Sequence, residues 1–361
     1  MRTARILTLM ALATAFGCNK SEEAESTSEK KAERDDGGIA KVAAVDPKLA
    51  EAFAASSARP SGPGAVEEGG PPANGIFAPG AADKEMPKGA SPKITLGSEG
   101  AMPRVALRTL PKPGSKFSGT IQIALQSNPQ QGAIPILLSV TIEAKKPAAA
   151  AAGDKPPGPE PFPMSARVTG AKIDAPGAPR ELDQLVGKLK GSKVDYDILP
   201  DGAGTGYRFE VPPGIQEPEI RDAIRALSDT LALLTIPYPD KPLGEGGYWM
   251  VTSRGELFGL DLVTYRLIKL EKVTPDAVVL KVNTKRYSAD TRFELPGLPA
   301  NIPPTLVEFQ ANSDGVLQLT PGAPFPQSGQ IESVLAAALG SAGAKQRGVF
   351  QQQSRAQISL K

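Results

Sequence analysis

The sequence has no histidine, one cysteine, one tryptophan and nearly equal numbers of basic and acidic residues. Without an imidazole there is no Ser-His or Cys-His nucleophile pair, no His-ligated zinc and no histidine general base. Most familiar hydrolase and metalloenzyme chemistries are thereby excluded. A single cysteine forms neither an internal disulfide nor a thiolate cluster, so the fold depends on neither. No apolar run reaches the ~20 residues that a membrane-spanning helix needs. Glycine and proline are abundant instead, 37 and 36 of 361 residues, against about 12% together in an average chain. That excess predicts long irregular stretches beside a smaller folded part.

The first 18 residues have the layout of an export signal: Arg2 and Arg5, an uncharged run over residues 6–16, then small Gly17 before Cys18. Residues 1–17 are therefore expected to be removed. Ala15-Phe16-Gly17-Cys18 resembles the lipobox of bacterial lipoproteins, departing from it at Ala15, where Leu is usual, and at Phe16, where a small residue is usual. The resemblance implies acylation of the Cys18 sulfur with diacylglycerol, cleavage just before it, and anchoring in the cell envelope through fatty chains such as palmitate. Ordinary cleavage after Ala13-Thr14-Ala15 is the competing reading. The only cysteine falls directly after the apolar run, which favours the lipid. Asn19, standing where an Asp would retain the protein in the inner membrane, implies the outer membrane. Removing Arg2 and Arg5 leaves 39 basic and 39 acidic residues. That neutrality argues against a nucleic-acid partner.

Residues 18–92 alternate charge clusters with Ala, Gly and Pro and are expected to form a disordered tether. One short helical pattern at 46–55 interrupts it, with Asp46 as N-cap and Pro47 at the first helical position. From Lys93 onward, period-2 alternation predicts strands. Ile121, Ile123 and Leu125 pair across a turn with Ile134, Ile136, Leu138, Val140 and Ile142. Further strands are expected at 164–170, 193–199, 207–211, 248–253, 259–273, 277–287, 306–311, 316–320, 328–335 and 349–360. Residues 146–163, rich in Ala and Pro, read as a disordered insertion.

Two helices are expected. Residues 179–189 carry Leu182, Leu185, Val186 and Leu189 on one face. Residues 217–235 carry Ile220, Ala223, Ile224, Leu227, Leu231 and Leu234 as a stripe, ended by Pro237 and Pro239. The fold class is α+β: one domain over residues 93–361, a large antiparallel curved sheet, half-barrel-like, packed on one main helix. A loose internal repeat is a further expectation, matching the hairpins at 115–145 and 257–287 and the turns at Asp201-Gly202 and Asp314-Gly315.

Several stretches from Gly191 onward carry a family resemblance: Gly191-Ser192-Lys193-Val194-Asp195-Tyr196 leading to Asp201-Gly202, the helix exit Ile236-Pro237-Tyr238-Pro239, Gly246-Gly247-Tyr248-Trp249, and Leu262-Val263-Thr264-Tyr265-Arg266-Leu267. On these residues the chain resembles uncharacterised bacterial lipoproteins that share a domain of unknown function. The resemblance brings no activity with it.

Few residues read as chemistry. Gly202-Ala203-Gly204-Thr205-Gly206 lacks the Lys-Ser/Thr of a phosphate loop and reads as a hairpin turn. Ser28-Glu29-Lys30-Lys31 has the spacing of some acyl-transfer nucleophiles but lies in the tether. Asp195 and Asp197 share a strand face and could bind a cation; a solvated outer face is the simpler reading. Trp249 beside Tyr248 is a core plug or an exposed platform, the core being favoured. Lys345, Arg347, Arg355 and Lys361 could meet lipid headgroups or protect an edge strand by their charge. No metal and no cofactor is expected, and no catalytic residue is assigned. The leading expectation is a non-enzymatic envelope lipoprotein anchored at Cys18, with the curved sheet as a binding surface for an envelope protein. Its alternatives are a carrier of an apolar ligand, lipid or acyl chain, resembling periplasmic lipoprotein carriers in architecture only, and an enzyme that works without histidine.

Overall fold

The computed structural model describes residues 71–126, 133–146, 161–215, 217–257, 260–292, 305–340 and 348–361. Cys18, Ser28 and Lys31, the helical pattern at 46–55, most of the insertion, Lys345 and Arg347 lie outside these residues.

The chain forms a short helix α1 (Ala81–Glu85), then strands β1 (Lys93–Ser98), β2 (Lys116–Gln126), β3 (Ile134–Ala144) and β4 (Phe162–Ile173), with helix α2 (Arg180–Gly187) before β5 (Lys193–Ile198) and β6 (Gly204–Glu210). The long helix α3 (Pro218–Leu234) follows. Then come β7 (Tyr248–Leu257), β8 (Leu260–Val273), β9 (Val278–Ser288), β10 (Thr305–Leu319), β11 (Ser328–Gly340) and β12 (Gly348–Leu360). All twelve strands join one open, curved sheet in the order β1-β7-β8-β9-β10-β11-β12-β2-β3-β4-β5-β6. Every neighbouring pair is antiparallel. The fold is thus the sheet-dominated α+β class that the alternation implies. Two meanders, β7 to β12 and β2 to β6, meet where β12 pairs with β2, Leu360 lying opposite Gly119. A Cβ on Gly119 would lie 1.9 Å from the Ser359 carbonyl oxygen, so only glycine admits the approach.

The alternation turns every second side chain toward the hollow of the sheet. Ile121 and Ile123, Leu138 to Ile142, Met164 to Val168, Val194 to Ile198 and Val278 to Val282 are buried there at every second position. Against them α3 lays Ile220, Ala223, Ile224, Leu227, Leu231 and Leu234, all buried, as its stripe requires. Such burial of apolar area is the main stabilising term.

Four expectations are corrected. Residues 71–92 are packed and do not belong to a tether: Ile76, Phe77, Ala82 and Met86 are buried. Asn74 and Gly75 stitch into the splayed end of β9 and β10, the Phe309 N–H donating to the Asn74 carbonyl and the Ser288 N–H to that of Gly75. From β7, the Arg254 guanidinium donates to Asp83 at 2.6 Å and to the Met86 carbonyl at 2.9 Å, and grips Asp261 with two bonds of 2.9 Å. Next, Asp314 and Gly315 are no turn; they lie within β10, which merges the strands expected at 306–311 and 316–320 and removes one match of the repeat. Finally β12 is no edge strand, because it pairs on both sides, with β11 and with β2. The end of the insertion, from Phe162, is already strand β4.

Candidate functional site

The hollow of the sheet and the exit of α3 gather most of the unusual chemistry. At the exit the chain runs Thr235-Ile236-Pro237-Tyr238-Pro239, and the prolines hold it extended after the helix. The Trp249 indole, fully buried, donates its N–H to the Pro237 carbonyl at 2.8 Å, and its ring sits 6.0 Å from that of Tyr238. The Tyr238 N–H donates to the Asp201 carbonyl at 2.7 Å, tying the exit to the β5–β6 turn at the far end of the sheet order. Arg266 of β8 donates to the carbonyls of Thr235 at 3.0 Å and Ala232 at 3.1 Å. A cation on the last carbonyls of a helix satisfies them and complements the negative end of its dipole. Burial, and then the charge of Arg286, pull the Arg266 guanidinium down to about 10, so it stays protonated at neutral pH. The Tyr207 and Thr235 hydroxyls are 2.7 Å apart, and the Tyr207 ring stacks on Tyr196 at 5.0 Å. Burial pushes all three tyrosine hydroxyls, of residues 196, 207 and 238, far above their ordinary value.

Along the flank of α3 the packing is different. Asp229 meets the Arg286 guanidinium of β9 at 2.8 Å. A row of small hydroxyl residues crosses the sheet beneath, Thr284 opposite Ser313, Ser313 opposite Ser333, and Ser333 opposite Ser354. The Ser333 hydroxyl donates to that of Ser313 at 2.8 Å. The buried Thr284 hydroxyl and Arg266 Nε, on paired positions of β8 and β9, have no protein partner. A crevice of about 40 Å³ opens here, lined by Asp229, Thr230, Arg286, Ser333, Ser354 and Gln352 beside Leu125, Leu233 and Leu335. Space of that size holds a water or two, whereas drug-sized ligands occupy ~300–1,000 Å³.

A larger cleft, of about 700 Å³, lies at the seam where the two ends of the sheet approach each other. Ile94 and Leu96 of β1 form one wall; Leu199, Pro200, Asp201, Tyr238, Pro239 and Asp240 form the other. Arg108 closes it at one side, donating to the Tyr238 carbonyl at 3.3 Å and to Asp240.

The residues singled out in the sequence do not assemble into one site. Gly202 to Gly206 form the β5–β6 turn and the start of β6, with Gly202 at φ 90°. Trp249 is core, with its N–H satisfied. Asp195 accepts from Lys145 at 2.8 Å and lies 3.4 Å from Lys193. Burial works against its charge, but the lysines and the Ser165 hydroxyl outweigh it and hold the carboxyl down at about 2. Arg355 pairs with Glu332 at 2.7 Å on the outer face. Among the described residues no group of acidic or thiol side chains is arranged to hold a metal, and no helix is long and apolar enough to cross a membrane. The polar contacts of the hollow were missed. Their signal is present in β8, where Arg266 takes a position in the series Leu262, Thr264, Ile268, Leu270 that otherwise points inward.

No family model matches the chain, and neither does a curated protein or a solved structure.

Proposed function

We propose that the protein is a non-enzymatic lipoprotein of the bacterial cell envelope, held at the outer membrane by acylated Cys18, whose curved sheet is a platform for binding. The observation that carries the anchor is the position of the only cysteine directly behind the apolar run. The 52 residues between Cys18 and Pro71 span at most about 190 Å when fully extended. The folded part would thus be free to work well away from the lipid. The non-enzymatic reading is supported by the buried tyrosines, whose raised hydroxyls stay protonated at neutral pH, and by Asp229 and Asp195, which are engaged with Arg286 and with lysines.

A second reading, carriage of an apolar ligand, draws on the apolar hollow crossed by a single helix. The helix fills that hollow, and the 40 Å³ left beside it is far below the volume of an acyl chain. The carrier reading therefore requires α3 to move.

Replacing Cys18 tests the anchor. Cys18→Ala is expected to lose labelling by radioactive palmitate and to release the protein from membranes in alkaline carbonate. Retention of the variant in the membrane pellet would overturn the anchor.

A further inference from the structure

Five adjacent strands each place one polar residue on a single row across the hollow. Arg266 of β8 stands opposite Thr284 of β9, Thr284 opposite Ser313 of β10, Ser313 opposite Ser333 of β11, and Ser333 opposite Ser354 of β12. The next inward row on one side, Ile268, Val282, Gly315, Ile331 and Ala356, is apolar throughout. At the β8 end of the polar row, Arg266 Nε and the Thr284 hydroxyl have no partner among the described residues, although Arg266 is only 9% and Thr284 only 2% exposed. Buried polar groups are almost always hydrogen-bonded, and an unmet one keeps its desolvation cost.

The hydrogens at that end decide what kind of partner fits. Arg266 Nε can only donate. The Ser333 hydroxyl donates to that of Ser313 at 2.8 Å, which leaves the Ser313 hydrogen to be donated in turn. Residues 266, 284 and 313, in register with one another, thus supply three donors. A water would bring two hydrogens of its own into this donor-rich place, whereas an anion brings none. Charge points the same way. The ionisable groups that act on Arg266 are Arg286, Asp229 and the Tyr207 hydroxyl, which burial keeps neutral at pH 7. Asp229 is engaged by Arg286 at 2.8 Å, and the carbonyl end of α3 offsets about half a charge. The two guanidiniums therefore keep a positive surplus. Size limits the anion, because the crevice that meets the row at Ser333 and Ser354 is about 40 Å³ and admits solutes no larger than a water or two. Sulfate, phosphate and carboxylates are too large.

We infer that Arg266, Thr284 and Ser313 form a binding site for one monatomic anion, chloride being the common one in water. The ion accepts from Arg266 Nε and from the Thr284 hydroxyl, and the Ser313 hydroxyl completes its shell. It also damps the repulsion between Arg266 and Arg286, the two cations that meet α3, at the Ala232 and Thr235 carbonyls and at Asp229. The anion is thus a structural ligand that helps to seat the helix on the sheet. The inference goes beyond the platform reading and depends on neither the lipid anchor nor the partner of the sheet.

The test uses the full chain, purified in detergent and dialysed into sodium gluconate, with sodium chloride replacing gluconate at fixed ionic strength. The melting midpoint is expected to rise by about 2–4 °C for each tenfold increase in chloride once the site is loaded, and bromide should act as chloride does. Thr284→Val, close in shape but without the hydroxyl, should raise the chloride needed for half the effect about tenfold or more. Asp195→Asn, on the outer face, should leave that requirement unchanged. A crystal grown in bromide, which needs no variant to fold, should show an anomalous peak within hydrogen-bond reach of Arg266 Nε and the Thr284 hydroxyl. Three results would overturn the inference: no rise of the midpoint when chloride replaces gluconate, an unchanged chloride requirement in Thr284→Val, or a bromide crystal with only water beside Arg266 Nε.

Discussion

The exit of α3 and its flank lie on the same helix, yet they are built in opposite ways. At the exit the Trp249 indole, two nitrogens of Arg266, the Thr235 hydroxyl and the Tyr238 amide have partners that tie four parts of the chain together, while Arg266 Nε and the Tyr196 hydroxyl are left unmet. At the flank, one ion pair and a row of hydroxyls face a small crevice, and a buried threonine hydroxyl goes unpartnered. Buried polar contacts stabilise only when complete, because an unmet group keeps its desolvation cost. The helix is thus tied at its end by connected hydrogen bonds, and along its side by its apolar stripe with a single ion pair.

Substitutions rank the two regions. Trp249→Ala should have the largest effect, about 3–5 kcal/mol, because it empties a fully buried site and frees the Pro237 carbonyl; the urea midpoint measures it. Leu227→Ala, in the stripe between the two regions, should cost about 3 kcal/mol. A loss below about 1 kcal/mol would mean that the stripe is not tightly packed and would erase the contrast. Asp229→Ala, on the flank, should cost only about 1–2 kcal/mol, since the carboxylate is still partly in water. A loss equal to that of Trp249→Ala would show the flank to be as firmly built as the exit.

Asp195, on the outer face, provides a control by pH. Its carboxyl is held at about 2, below the ordinary ~3.9. Its contribution is therefore complete above about pH 4 and disappears as the pH falls through about 2. Asp195→Asn should lower stability by about 1 kcal/mol at pH 6, after allowance for solvent screening, and by nothing measurable at pH 2. The smallest effect belongs to Arg225→Ala. It removes a half-exposed cation over Phe209 and should cost about 0.5–1 kcal/mol.

The regular elements were legible because their signals are local. Val278, Leu280 and Val282 alternate with polar neighbours, and the α3 stripe repeats at helical spacing; both patterns are fixed by the period of the backbone alone. What failed was decided at a distance. Residues 71–92 look like linker because their few apolar side chains are scattered among Gly and Pro, yet Phe77 and Met86 find Val263 and Ala289 nearly two hundred residues away. Asp314-Gly315 has turn composition, but strands on both sides hold it extended, and Asp314 bonds to Asn283. The seam cleft has no sequence signature, because its walls come from the two ends of a sheet whose order no local pattern reveals.

The union of β12 with β2 also sets an order of events. Residues 353–360 pair with residues 119–126 in the middle of the sheet, a loop closure of more than two hundred residues that must precede any reward from the contact. Until β12 is available, the first meander has a bare side at β2 and the second cannot be joined to it. The sheet cannot be completed until its twelfth strand has been made, so the contact that joins the two meanders is among the last that the growing chain can form.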